Sequence, residues 1–349
     1  MYRFKGSRIS CLVEVRGVSY SGFLDGGTDA QAEIRVTGDD GLVERLLSGD
    51  RRALARVISK IERGDPETHE IVAGIYPKTG TVLSVGFTGP PGVGKSSIMA
   101  KLIELYRKED KRVGVVSVDP SSPFSKGAIL GDRIRLSDHF LDPGVFIRSM
   151  GSRGHLGGLA GASRLAALAM EASGMDVVLY ETVGVGQGEV EVASAADTVV
   201  LALQPGAGDA VQALKAGVME IADIFCINKA DHPQAKGAAN EVRSILDIGQ
   251  ELDPQPWYPP IIMTRGDTGE GVEELKETIE KHRSYLEESG KLEKRRRASL
   301  KEFVISWAKE RLEREMQERL SHEDNELMEK VYERELDPIS ASEQIFREV

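Results

Sequence analysis

One loop in this sequence indicates chemistry directly. Gly89 to Ser96 matches G-x-x-x-x-G-K-[ST] at every fixed position. In such a loop the glycines let backbone N–H groups turn inward around a phosphate, and the following helix points the positive end of its dipole at the same charge. Lys95 is predicted to reach the β- and γ-phosphates of a nucleotide, and the Ser96 hydroxyl is predicted to bind Mg²⁺.

A second motif bears on which base that nucleotide carries. Asn228-Lys229-Ala230-Asp231 follows directly on the apolar run Ile224 to Ile227. At a strand end N-K-x-D reads guanine, because the Asp carboxylate accepts hydrogen bonds from the ring N–H and the exocyclic amino group, a pair of donors that adenine lacks. Alone, the tetrapeptide would as often be a surface loop. Its place after a phosphate loop in an alternating chain predicts GTP.

Three further carboxylates fall where catalytic or metal-binding groups are expected. Glu181 and Gly184 lie at a strand end where P-loop GTPases have the motif D-x-x-G. In that motif the Asp holds Mg²⁺ through water, and the Gly N–H contacts the γ-phosphate. Asp119 ends the second strand of the sheet, beside the phosphate loop, so it is predicted to lie near Mg²⁺ or the attacking water. Asp132 is equally consistent with a catalytic role and with a turn.

The Pro- and Gly-rich segment from Gln204 to Asp209 follows another apolar run and precedes Lys215. Such a segment can be a simple turn, but its position at the ligand edge of the sheet favours a nucleotide-responsive loop. The six histidines are scattered, and no Cys/His spacing suits zinc or nickel.

The elements that position these residues alternate along the chain. A strand over Val82 to Phe87 leads into the phosphate loop, and a helix over Ile98 to Arg107 leaves it. Further strands are predicted at Val113 to Val118, Val145 to Ile147, Val177 to Tyr180, Val199 to Leu203, Ile224 to Ile227 and Ile261 to Met263. This alternation predicts right-handed βαβ units and the α/β fold of a P-loop NTPase, a mostly parallel sheet flanked by helices with ligands at the carboxyl ends of the strands.

The two ends of the chain differ from this middle part. Residues 1–36 are predicted to be an extension, either a small hairpin or poorly ordered, and residues 37–78 a region of two or three helices that ends near Tyr76. Residues 79–282 form the predicted GTPase domain, and residues 283–349 a charged helical arm. The arm has a narrow apolar stripe of Leu300, Phe303, Val304, Trp307, Leu312, Met316 and Leu320. The stripe packs on its own domain or on another copy, and we favour dimerisation. The basic run at 294–297 is predicted to be a solvated helix face.

Composition limits the function classes. A chain of 349 residues suggests about two domains, and a net charge of −11 argues against nucleic acid or an anionic membrane as the partner. Two cysteines exclude a disulfide framework and fit a reducing compartment. The chain has no long apolar run and no signal-peptide h-region, so the cytoplasm is the expected location.

Taken in order, the motifs resemble one known family. G-P-P-G-V-G-K-S-S, V-D-P-S-S, I-L-G-D, E-T-V-G-V-G-Q-G-E, Q-P-G-A-G-D and N-K-A-D are similar to the motifs of the MeaB/ArgK/MMAA-type P-loop GTPases, over residues 39–349. The resemblance implies a homodimeric G protein that binds GTP/GDP and Mg²⁺. It implies further that the protein is the chaperone of an adenosylcobalamin-dependent acyl-CoA mutase, gating cofactor loading and protecting or reactivating the mutase.

The resemblance also implies roles for individual residues. The region from Asp119 to Asp132 would be switch I, Glu181 to Glu189 switch II, and a further switch III would include Gln204, Gly206, Gly208, Asp209 and Lys215. The nucleotide would contact Gly89, Pro90, Pro91, Gly92, Val93, Gly94, Lys95, Ser96, Ser97, Gly184, Asn228, Lys229, Asp231, Thr264 and Arg265. Ser96, Asp119 and Glu181 would hold the metal, and Lys95, Asp119, Asp132 and Glu181 would act in catalysis.

Two segments depart from the family pattern. Ser125-Lys126-Gly127-Ala128 replaces the paired glycines and serine expected before I-L-G-D, and Thr264-Arg265-Gly266 replaces a Ser-Ala or Thr-Ala pair in the last base-contacting loop. Guanine is still expected to bind, because that loop contributes mainly backbone contacts.

No arginine finger can be assigned, so we expect slow hydrolysis that a partner accelerates. Methylmalonyl-CoA mutase is the expected client, and isobutyryl-CoA mutase is an alternative. Three other functions compete: an ATP-dependent ArgK-type transport-associated kinase, against which N-K-A-D argues; a nickel metallochaperone GTPase, against which the missing Cys/His cluster argues; and an assembly scaffold with a structural nucleotide.

Overall fold

Seven parallel strands form the central sheet of the computed structural model, which describes residues 9–15, 18–24, 41–119, 136–151, 158–182, 193, 195–206, 218–320 and 326–348. The strands are β3 (Leu83–Thr88), β4 (Val113–Asp119), β5 (Val145–Gly151), β6 (Val177–Thr182), β7 (Thr198–Leu203), β8 (Ile224–Ile227) and β9 (Ile261–Met263). Their order across the sheet is β5-β4-β6-β3-β7-β8-β9, with every neighbouring pair parallel. The predicted α/β fold is confirmed.

The sheet is covered on both faces, and β6 shows how its sequence produces this. All six residues of β6 are buried, as expected for a parallel strand between two helical layers. Val178 and Tyr180 join the apolar cluster on one face, and Val177 and Leu179 join the cluster on the other. The alternation follows from the two-residue period of a strand.

Helices pack on both faces of the sheet. The helices of the described residues are α1 (Leu42–Leu47), α2 (Arg51–Arg63), α3 (Thr68–Ile75), α4 (Lys95–Lys108), α5 (Gly158–Ala172), α6 (Ala235–Leu252), α7 (Val272–Glu288), α8 (Lys291–Leu320), α9 (Glu326–Tyr332) and α10 (Pro338–Glu348). The cluster that contains β6 Val178 is packed by α1, α2, α3 and α5, whereas α4 and α7 pack on the opposite face.

The N-terminal region contains the expected helices. Part of the extension that precedes them forms a hairpin, which is one of the two predicted alternatives. Helix α2 begins after Asp50, whose carboxylate accepts hydrogen bonds from the backbone N–H of Arg52 at 2.7 Å and of Ala53 at 3.3 Å. A 3₁₀ turn over Tyr76–Lys78 leads to the central sheet, at the predicted end of the region. Strands β1 (Ile9–Val15) and β2 (Val18–Leu24) pair antiparallel as a hairpin.

The C-terminal stripe divides between two environments. Phe303 and Trp307 of α8 pack on the apolar cluster beside α5, where a Cβ atom at Gly161 would lie 3.3 Å from the Trp307 ring. Val304 is 64% exposed, so only part of the stripe is covered by the protein's own domain. The division of the chain at residues 36, 78 and 282 stays a prediction. None of the helices in the described ranges is both long and apolar enough to cross a membrane.

The prediction of a solvated face at 294–297 is wrong for two of the four residues. Arg296 donates from Nε and Nη2 to the two carboxylate oxygens of Asp197, at 2.8 and 2.6 Å. Arg295 Nη1 donates to Asp223 Oδ1 at 2.9 Å. The two acids precede β7 and β8, far away in the sequence, so local charge patterning could not reveal these ion pairs.

Candidate functional site

The phosphate loop joins β3 to α4 and requires glycine at particular positions. Gly89 has φ 142°, and a Cβ atom there would lie 2.1 Å from the carbonyl oxygen of Ala202 in the neighbouring strand β7. Gly94 has φ 97°, and a Cβ atom there would lie 2.4 Å from Asn228 Nδ2. Both sites combine a left-handed backbone with close approach of another segment, so the sequence pattern reflects the packing of the loop.

Lys95 is held inside the loop that precedes it. Its side chain is buried, and Nζ donates hydrogen bonds to the carbonyl oxygens of Gly89 at 2.6 Å and Pro90 at 2.9 Å. The ammonium group is therefore positioned by the backbone of the loop, and its contact with the β- and γ-phosphates stays a prediction.

Ser96 and Glu181, two of the predicted metal ligands, are in contact. Ser96 Oγ donates a hydrogen bond to Glu181 Oε1, and Ser117 Oγ donates to Glu181 Oε2 at 3.3 Å. A hydroxyl and a carboxylate are oxygen donors of the kind that Mg²⁺ prefers, so this donor set fits the ion. Sequence reasoning missed Ser117, although its register opposite Glu181 across the β4–β6 pair follows from the parallel sheet.

Asn228 connects the phosphate loop to the last predicted base-contacting loop. Its side chain is 3% exposed, and Nδ2 donates to the carbonyl oxygen of Val93 at 2.7 Å. Its Oδ1 accepts from the backbone N–H of Gly266 at 2.9 Å and from Thr264 Oγ1 at 3.2 Å. One amide group thus ties together two loops that are distant in sequence, the phosphate loop at Val93 and the loop of Thr264 and Gly266, a role that the motif alone did not reveal.

Thr264 supports Asn228 from within the core. Its side chain is fully buried, and Oγ1 lies 3.1 Å from Cys226 Sγ. Burial raises the pKa of the Cys226 thiol to about 12. The thiol therefore remains neutral and serves as packing and as a weak hydrogen-bonding group.

Lys229 links N-K-A-D at residues 228–231, the base motif, to the predicted switch III. Its backbone is left-handed, with φ 58°, and its Nζ donates to Gln204 Oε1 and, at 3.4 Å, to the carbonyl oxygen of Gly92. Gly206 also lies against this region, since a Cβ atom there would be 2.6 Å from Gln234 Oε1. The start of the predicted switch III and the segment after N-K-A-D are therefore packed together.

Asp231 lies at the exposed rim of this group. Its side chain is 60% exposed, and Oδ1 lies 3.5 Å from Arg265 Nε. The carboxylate is therefore largely open to solvent, and its contact with a base stays a prediction.

Several predicted site residues cannot be placed. Asp132, Gly184, Gly208, Asp209 and Lys215 lie outside the described residues. Asp119 ends β4, where its backbone pairs with Gly151. Its role as a metal ligand or in positioning water stays a prediction.

Comparisons with known proteins show the family to which this chain belongs. The family model described as methylmalonyl Co-A mutase-associated GTPase MeaB matches residues 53–321. A protein of Pyrococcus horikoshii provisionally named a GTPase is 48% identical over 89% of this chain and 98% of its own length. GTPase ArgK of Escherichia coli is 35% identical over 78% of this chain and 83% of its own.

Two other matches extend the comparison. The mitochondrial methylmalonic aciduria type A homolog of Caenorhabditis briggsae is 32% identical over 79% of this chain and 72% of its own length. A crystal structure of a LAO/AO transport system kinase superposes with a TM-score of 0.64 at 26% identity, covering 90% of this chain and 99% of that one. The family model covers most of the chain and lies over the phosphate loop, N-K-A-D and the sheet that brings them together, and this chain therefore belongs to the MeaB family of GTPases.

Proposed function

We propose that the protein binds and hydrolyses GTP as the chaperone of an adenosylcobalamin-dependent acyl-CoA mutase, with methylmalonyl-CoA mutase as the expected client. The observation that best supports a guanine-nucleotide site is the set of contacts of Asn228 with the phosphate loop and with Thr264 and Gly266. The client is suggested by the description of the family model, which names methylmalonyl Co-A mutase, and by the name of the Caenorhabditis briggsae relative.

In this proposal the residues of the phosphate loop act electrostatically. Lys95, anchored by the carbonyl oxygens of Gly89 and Pro90, stabilises negative charge that develops on the transferred phosphoryl group. Ser96, Glu181 and Asp119 would hold Mg²⁺, and the ion would supply positive charge to neutralise the phosphates. Asp119 and Asp132 are the proposed groups near the attacking water. Without an assigned arginine finger, intrinsic hydrolysis is slow and a partner that orders the switches accelerates it.

A route from nucleotide to partner follows from the contact between Lys229 and Gln204. Lys229 belongs to the base motif, and Gln204 begins the proposed switch III. A bound nucleotide that moves Lys229 changes a contact of the switch, so the nucleotide-bound and nucleotide-free proteins present different surfaces to the mutase. Such a protein acts by changing the populations of its conformations, and this does not require fast hydrolysis of the nucleotide.

The proposed function is tested by steady-state turnover of GTP, with ATP in parallel, in the presence and absence of the mutase from the same organism. We expect slow hydrolysis of GTP alone and a severalfold increase with the mutase. The variant K95A should lose turnover. K101A is a matched control, because Lys101 lies on the same helix and pairs with Glu104 on its surface.

The outcomes of this assay distinguish GTP hydrolysis from the chaperone role. If GTP is hydrolysed and no mutase changes the rate, the GTPase stands and the chaperone role fails. A preference for ATP would overturn both and favour a kinase. Turnover retained in K95A would show that the activity comes from a contaminant or from another site.

We also propose that the C-terminal arm forms a homodimer. Tyr332 of α9 and Ile339 and Phe346 of α10 are 86%, 75% and 64% exposed, and a second copy of the chain could cover these apolar side chains. Light scattering after size-exclusion chromatography should give twice the mass of one chain, and Y332D with I339D should reduce it. A wild-type monomer at all concentrations would contradict the proposal.

A further inference from the structure

Arg265 differs from the other predicted nucleotide contacts because its side chain is surrounded by acidic groups. Its Nη2 lies 3.2 Å from Asp267 Oδ2, its Nη1 lies 3.8 Å from Glu270 Oε2, and its Nε lies 3.5 Å from Asp231 Oδ1. Three edges of one planar guanidinium thus face three carboxylates. Asp267 and Glu270 belong to the same loop as Arg265, whereas Asp231 belongs to the base motif after β8.

The backbone of Arg265 is also held by hydrogen bonds within its loop. Its N–H donates to the carbonyl oxygen of Glu270 at 2.9 Å, and its own carbonyl oxygen accepts from the N–H of Gly269 at 2.8 Å. The next residue, Gly266, is bonded to Asn228 Oδ1. The guanidinium therefore projects from a closed loop that is itself tied to the base motif.

Arg265 Nε and Asp231 Oδ1 lie close together but do not form a hydrogen bond. Arg265 Nε is buried and makes no hydrogen bond within the part of the chain that the structure describes. Asp231 Oδ1 is close enough for an ion pair, yet the geometry is not that of a hydrogen bond. A buried N–H without a partner is costly, so an arrangement in which the carboxylate rotates toward Nε is favoured.

A carboxylate can satisfy Arg265 and a guanine base together. Its two oxygens offer about four lone-pair sites, and guanine uses two of them through the ring N–H and the exocyclic amino group. One lone pair of Oδ1 remains for Nε. Arg265 would then reduce the rotational freedom of a side chain that is otherwise 60% exposed.

We propose that Arg265 is a positioning residue for base recognition, which holds the Asp231 carboxylate in the orientation that reads guanine; this inference rests on the proposed binding of a guanine nucleotide. Arg265 acts through Asp231, with Asp267 and Glu270 holding the guanidinium in place. Its effect is on base selectivity, because only a correctly oriented carboxylate accepts from both donors of guanine.

The test compares the affinities of the full-length protein for GDP and IDP, since hypoxanthine keeps the ring N–H and lacks the exocyclic amino group. In R265Q the preference for GDP should fall about two- to fivefold, the range expected for a partly exposed ion pair. R265K should lie between R265Q and the wild type, because one ammonium cannot face three acids at once. R297Q is the matched control, because it removes an arginine that pairs with Glu293 on the exposed surface of α8, and its preference should be unchanged.

The failure of this inference can be distinguished from the failure of the proposed function by including D231A. If D231A loses the preference for GDP and R265Q keeps it, Arg265 does not position the carboxylate. Equal losses of GDP and IDP affinity in R265Q would show a purely structural role and would also overturn the inference. If D231A keeps the preference, Asp231 does not read the base and the proposed nucleotide specificity is wrong. Circular dichroism confirms that each variant is folded.

Discussion

Replacing Asn228 with alanine should uncouple the phosphate loop from the base-contacting loops. The side chain is 3% exposed and makes hydrogen bonds with Val93, Thr264 and Gly266. Truncation leaves the carbonyl oxygen of Val93 and the N–H of Gly266 without these partners. Unsatisfied buried groups cost about 1–3 kcal/mol each, and partial access of water reduces this, so the free energy of unfolding should fall by about 2–5 kcal/mol.

Denaturant unfolding without nucleotide measures the loss of stability, and a second series with GDP measures the loss of binding. GDP at about 100 times its dissociation constant stabilises a protein by about 2.7 kcal/mol, and N228A should lose most of that increment. N240A is the matched control, because Asn240 lies exposed on α6. Its unfolding free energy should stay within about 0.5 kcal/mol of the wild type. An N228A protein that unfolds and binds GDP like N240A would refute the bridging role of Asn228.

Three further predictions concern residues that are not themselves predicted to contact the nucleotide. Asp197 is 4% exposed and accepts from Arg283 and Arg296, so D197N should lower the free energy of unfolding in a denaturant titration by about 2–4 kcal/mol; an unchanged midpoint would contradict this. Burial holds the pKa of His282 below its usual 6.5, so the unfolded chain takes up a proton that the folded chain resists, and stability should fall as pH drops below about 6.5. The free energy of unfolding should depend less on pH in H282Q than in the wild type, and an equal pH dependence in the two proteins would contradict this prediction. Because burial raises the pKa of Cys226 to about 12, its thiol should resist iodoacetamide at about pH 8 until the protein unfolds, as mass spectrometry of the labelled peptide would show.

The fold was largely predictable from the sequence because parallel strands buried on both faces are near-continuous apolar runs. The bounds of β8 and β9 agree with the predicted runs at both ends. Strand β5 is longer than predicted, since it continues from Ile147 to Gly151. The added residues Arg148 and Ser149 are polar, and Arg148 is accommodated by an ion pair with Glu62 of α2, which no local pattern could indicate.

The candidate site was predictable where one short motif holds the chemistry. The phosphate loop and N-K-A-D were found from residue types and spacing. Ser96 and Glu181 were each predicted as metal ligands, and the structure brings the two side chains into contact, whereas their binding of metal stays a prediction. Contacts that depend on three-dimensional packing were missed. Ser117 reaches Glu181 through strand register, and Arg265 faces Asp231 because two loops meet at one edge of the sheet.

The central claim, that guanine recognition by this site governs its action on a mutase, is tested most directly with D231N and xanthosine triphosphate. Asparagine replaces one acceptor oxygen of Asp231 by an N–H donor, which matches the C2 carbonyl of xanthine and opposes the amino group of guanine. We predict that D231N hydrolyses XTP in preference to GTP by about tenfold or more, and that the mutase accelerates XTP hydrolysis by D231N as it accelerates GTP hydrolysis by the wild type. A D231N protein that still prefers GTP, or whose XTP hydrolysis the mutase leaves unchanged while wild-type GTP hydrolysis rises, would contradict the account.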